Sequence, residues 1–70
     1  MHIITGGTGL LGAELAFQLL RSGHEVITIV RPTRSQPDVR QRQLENIAEL
    51  HPETKLSSDE LNHLRVFSGD

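Results

Sequence analysis

The run Thr5-Gly6-Gly7-Thr8-Gly9-Leu10-Leu11-Gly12 carries the densest chemical signal in the sequence. Gly7, Gly9 and Gly12 fit the spacing G-x-G-x-x-G, and Gly6, Gly9 and Gly12 fit the related T-G-x-x-G-x-x-G. That spacing suits a diphosphate. The early glycines permit a tight turn, Gly9 lets main-chain N–H groups approach phosphate with no Cβ in the way, and Gly12 lets a following helix pack close to the preceding strand. The helix then presents unpaired N–H groups and a partial positive charge to the anion. Gly6, Gly9 and Gly12 are therefore the candidate contacts. No Gly-Lys-Ser/Thr follows, so a Walker-type phosphate loop is excluded.

A second chemical signal is Arg31, nineteen positions beyond Gly12. In an NAD site an Asp or Glu near this point accepts hydrogen bonds from the ribose hydroxyls. Here Thr28-Ile29-Val30-Arg31-Pro32-Thr33-Arg34 contains no acid. A planar guanidinium suits the 2′-phosphate of NADP, because it clamps phosphate with two parallel bonds. Arg34 offers a second cation, and Thr33 or Ser35 a hydroxyl. The other reading makes Arg31 a solvated strand-end residue, with NAD as the ligand. Arg40 and Arg42 read as exposed helix residues rather than ligands. Asp70 ends the last strand on the edge where open α/β sheets bind ligands, so its carboxylate suits an adenine amino group; a plain turn aspartate is the other reading.

The elements that must position these residues follow from periodicity. His2 to Thr5 reads as a short strand, continuous in apolar and β-branched character, which suggests burial on both faces of a parallel sheet. A helix starts at Leu10. Leu11, Leu15 and Leu19, with Ala16 and Leu20, recur at helical spacing, Arg21 suits the last turn, and Gly23 supplies a left-handed stop. Val26 to Val30 is a second β-branched strand. Residues 31–37, with two prolines, form a loop. A second helix starts near Pro37 or Asp38, places Leu44, Ile47, Ala48 and Leu50 near one face, and is limited by Pro52. Ser57 and Glu60 have capping-box spacing for a short third helix toward His63, and Leu64 to Ser68 is a third strand. This order implies right-handed crossovers onto a parallel sheet: an α/β, Rossmann-type fold in its N-terminal β-α-β-α-β portion.

Composition sets the outer bounds. A chain of 70 residues buries only about 60% of its unfolded surface, so its core is marginal. It has no cysteine for disulfides, and its four histidines are scattered, which gives no metal site. The lack of cysteine fits a reducing, cytoplasmic setting. There is no signal peptide and no apolar run that would span a bilayer. A net charge of −2 gives no reason to expect nucleic acid. Three hydrophobic parallel strands need more cover than these helices supply. The expectation is that residues 1–70 are the incomplete N-terminal part of a dinucleotide-binding domain, unstable or self-associating alone. A complete small protein that covers its sheet by homo-oligomerisation is the alternative.

The motif Thr5-Gly6-x-x-Gly9-x-x-Gly12 resembles the extended short-chain dehydrogenase/reductase superfamily. Val30-Arg31-Pro32, the polar insertion through residues 33–63 and Val66-Phe67-Ser68-Gly69-Asp70 are most similar to its thioester reductase and fatty acyl-CoA reductase-like members. The resemblance spans essentially the whole chain. It implies an NADP-binding segment of an oxidoreductase that reduces a carrier- or CoA-bound thioester or related carbonyl. It places the pyrophosphate on Gly6, Gly9 and Gly12 with Thr8, Leu10 and Leu11 lining the turn, the 2′-phosphate on Arg31 and the adenine on Asp70. The family's catalytic Tyr-x-x-x-Lys is not carried over, because the chain contains no tyrosine and Lys55 lies in the insertion. A nucleotide-sugar epimerase or dehydratase of the same superfamily, and a non-catalytic nucleotide-sensing module, remain the alternative functions.

Overall fold

The computed structural model describes residues 1–69. The elements are β1 (His2–Thr5), α1 (Leu10–Arg21), β2 (Val26–Val30), α2 (Val39–Leu50), α3 (Ser58–Asn62) and β3 (Leu64–Ser68). They form a Rossmann-type β-α-β-α-β arrangement on a three-stranded sheet of order β1-β2-β3, with both pairings parallel. Parallel neighbours require crossovers, and the helices supply them.

Local chemistry sets each boundary. Gly23 takes φ +84° just past the end of α1, the left-handed stop its position predicts. The Asp38 side chain caps α2 by accepting from Gln41 N–H at 3.1 Å. Ser57 and Glu60 complete a reciprocal capping box on α3, with bonds of 3.1 and 2.8 Å.

The strand register sorts the side chains into two faces. Ile4, Thr28 and Val66 form one row, and Ile3, Ile27 and Arg65 the next, so successive rows point to opposite sides. The Ile4–Thr28–Val66 side carries the core: Ile4, Val26 and Leu64 pack with Ala13, Ala16, Phe17 and Leu20 of α1 and Ile47 of α2. On the other side Ile3 and Phe67 are more than half exposed. The expectation of strands buried on both faces therefore holds for one face only, because α1 and α2 share a single core cluster.

The apolar stripe expected on α1 is also revised. Leu11 and Leu15 lie in solvent, and the buried stripe is Ala13, Ala16, Phe17 and Leu20. Small Ala13 and Ala16, with no exposed surface, let α1 lie close on the strands, which bulky leucines would prevent. On α2, Ile47 is buried as expected, but Ala48 is exposed and Gln43 takes the second buried position. His51, just past α2, stacks on Phe17 with centroids 3.6 Å apart and hydrogen-bonds Glu14 of α1. That bond holds the Glu14 carboxyl below its ordinary value.

Candidate functional site

The glycine loop occupies the carboxyl edge of the sheet. β1 ends at Thr5, level with Ile29 of β2 and Phe67 of β3, so residues 6–9, Arg31 and Gly69 all follow strand ends on one edge. Open α/β sheets bind ligands at this edge. Main-chain bonds fix the loop there: Gly7 N–H donates to the Ile29 carbonyl at 3.4 Å, and Gly9 N–H to that of Gly6 at 2.9 Å. Gly69 N–H donates to the Val30 carbonyl at 3.0 Å, tying the end of β3 beside Arg31.

Two glycines are required by geometry. Gly6 takes φ +69°, a left-handed turn that side chains disfavour. A Cβ on Gly12 would lie 2.5 Å from the Gly6 carbonyl oxygen, so only glycine lets α1 start this close to the turn.

The start of α1 is left open. Its N-cap is Gly9, with no side-chain cap and no acid in the first turn. The first intrahelical donor is Ala13 N–H, bonded to the Gly9 carbonyl at 2.9 Å. The N–H groups of Leu10, Leu11 and Gly12 thus have no helical acceptor and sit at the positive end of the dipole. Leu10 and Leu11 are 70% and 85% exposed, so nothing covers this end. A backbone cradle with uncapped donors and no carboxylate in the first turn of its helix fits a diphosphate.

The other expected residues fall as follows. Arg31 and Arg34 are exposed and lie on the loop that leaves β2 at the same edge. Thr33 and Ser35 hydroxyls sit 3.3 Å apart, and Thr33 also accepts from Gln36 N–H, so this loop is held by its own side chains. Asp70 lies outside the described residues. Thr8 lines a polar recess of about 160 Å³ with Gln36, Arg42, Glu45, Asn46 and Glu49. A larger, apolar hollow of about 280 Å³ lies along the C-terminal half of α2, among Leu44, Ile47, His51, Pro52, Leu56 and Leu61. It shares no residue with the glycine loop.

The expectation that Arg40 and Arg42 are exposed helix residues holds for Arg40 but not for Arg42. Arg40 donates to the carbonyls of Leu64 and Leu61 at 2.9 and 3.3 Å, pinning α2 to the start of β3. Arg42 is half-buried, with its Nε shielded from solvent. Sequence reasoning missed Gln43 altogether. It is fully buried, and its Nε2 donates to the Gly7 carbonyl at 2.9 Å. Its one available signal was its spacing four residues before Ile47, which places both on one helix face.

A parallel sheet whose first turn is glycine-built and whose first helix begins uncapped defines a dinucleotide-binding α/β protein. The sequence pattern of the family described as male sterility protein matches residues 4–70. The chain belongs to this fatty acyl-CoA reductase-like, NAD(P)-binding family. No curated protein and no solved structure shows a significant match. Among the described residues, no helix is long and apolar enough to cross a membrane.

Proposed function

We propose that this chain is the NADP-binding segment of a reductase acting on a carrier- or CoA-bound thioester or a related carbonyl. The observation that carries the reading is the uncapped, acid-free start of α1 directly after the glycine turn. Gly6, Gly9 and Gly12 shape the cradle, and the N–H groups of Thr8, Leu10, Leu11 and Gly12 face the pyrophosphate. Arg31, with Arg34 near it in sequence, meets the 2′-phosphate, and Asp70 meets the adenine. The absence of an acid from residues 28 to 34 supports NADP over NAD. The bound nicotinamide supplies hydride transfer. What these residues contribute is binding and orientation, since the chain has no tyrosine to serve a Tyr-x-x-x-Lys pair. The half-exposed apolar sheet face at Ile3 and Phe67 supports reading the chain as the first portion of a larger domain.

The test is Arg31→Asp, read by calorimetric titration. NADP affinity should fall by about 10- to 100-fold, the worth of one or two charge-assisted hydrogen bonds, while NAD binding holds or improves. Unchanged NADP affinity would remove the phosphate role of Arg31.

A further inference from the structure

Gln43 is a polar side chain with no exposed surface on a helix that belongs to the insertion, not to the glycine loop. Its carboxamide reaches across 36 residues of sequence to the Gly7 carbonyl. Gly7 is therefore held at both ends: its N–H by β2 through Ile29, and its carbonyl by α2 through Gln43. The space beside it is filled. A Cβ on Gly7 would lie 2.2 Å from Gln43 Oε1 and 2.9 Å from Thr28 Cβ.

That bond comes with an energetic penalty. Gln43 Oε1 and the neighbouring Thr28 Oγ1 are both buried with no hydrogen-bond partner. Buried acceptors without partners are destabilising, and an apolar side chain of similar length would avoid the loss. The carboxamide's one buried bond is the one to the Gly7 carbonyl.

Its effect on the loop follows from peptide geometry. In a trans peptide the carbonyl of one residue and the N–H of the next point in opposite directions. Gln43 draws the Gly7 carbonyl toward the buried interior, so Thr8 N–H is turned outward, away from the core. That N–H makes no hydrogen bond among the described residues. A donor fixed in direction before the ligand arrives has no ordering left to lose on binding.

We propose that Gln43 is a positioning residue for the dinucleotide: it locks the Gly7–Thr8 peptide so that Thr8 N–H faces the pyrophosphate. The insertion helix α2 thereby takes part in cofactor binding through the loop, without touching the cofactor. This rests on the reading of residues 6–12 as the pyrophosphate cradle.

The experiment compares two ligands on the full chain by NMR chemical-shift titration. NADP carries the pyrophosphate; adenosine 2′-monophosphate lacks it but keeps the adenine and the 2′-phosphate. Gln43→Met keeps length and bulk and removes the donor. NADP should bind about tenfold more weakly, while adenosine 2′-monophosphate binds as it does to the wild-type chain. Gln43→Leu, apolar and likewise without a donor, should give the same split and serves if the methionine variant does not fold. Unchanged NADP affinity overturns the proposal, and so does an equal loss for both ligands, which would make Gln43 a general support of the fold. In either case wild-type shifts centred on residues 6–12 leave the cradle itself standing. Wild-type NADP shifts that avoid those residues overturn the cradle and the role of Gln43 together.

Discussion

At the start of α2 the Asp38 carboxylate accepts a main-chain N–H, and at the start of α3 Ser57 and Glu60 satisfy one another's backbone. At the start of α1 stands Gly9, which has no side chain to offer, and no acid follows in the first turn. The three helices share one sheet and one chain, so the difference is local. A side-chain cap in place of Gly9 would stabilise α1 by about a few tenths of a kcal/mol, its usual gain over glycine. That stabilisation is forgone at the one helix whose first turn follows the glycine loop. Capped ends serve the fold, and the open end leaves its donors available to the anion proposed above.

The comparison can be broken most forcefully at Gly12. Gly12→Ala places a Cβ 2.5 Å from the Gly6 carbonyl, and main chain must move to admit it. Stability should fall by about 1–3 kcal/mol in a thermal melt, the usual cost of overpacking. NADP affinity should fall by about 100-fold. A variant that binds NADP like the wild type would show that the close approach of α1 to the turn is not needed.

Leu11→Asp sharpens the contrast by giving α1 a first-turn acid, as α3 has. Leu11 is 85% exposed, so its loss removes little packing. A carboxylate in the first turn should stabilise the helix by about 0.3–1 kcal/mol through the dipole and raise the melting temperature. The same charge should repel the diphosphate and weaken NADP binding by about tenfold. Stability and binding moving in the same direction would contradict the account.

Ser57→Ala is the smallest change and the control. It removes half of the capping box on α3 and should lower stability by about 1 kcal/mol. NADP affinity, corrected for the folded fraction, should be unchanged. A specific loss of binding would mean that capped ends also serve the ligand.

Much of this plan was legible in the sequence, because the signals that set it are local. The β-branched runs marked the strands, Gly23 marked the end of α1, and Ser57 with Glu60 marked the start of α3. Packing partners were not legible. Of the apolar residues expected on one face of α1, Ala16 and Leu20 are buried and Leu19 packs against the core, but Leu11 and Leu15 are exposed while Ala13 and Phe17 are buried instead. Which residues are buried depends on how closely the helix approaches the strands, and small alanines decide that. Polar residues misled for a related reason. Gln43 looks like a surface residue until the carbonyl of Gly7 is placed beside it, and nothing in the sequence shows that exposed Arg40 also bonds the Leu64 carbonyl. No periodicity encodes a bond between residues 36 or 24 positions apart.

The central claim is that the main-chain donors opening α1 hold the diphosphate. Amide chemical shifts of the full chain, followed during titration with NADP, test it most directly. The account predicts saturable shifts greatest at Thr8, Gly9, Leu10, Leu11 and Gly12, with the capped starts of α2 and α3 left unmoved. Shifts clustered at those capped ends or along the apolar hollow of α2, with residues 8–12 unaffected, would contradict it.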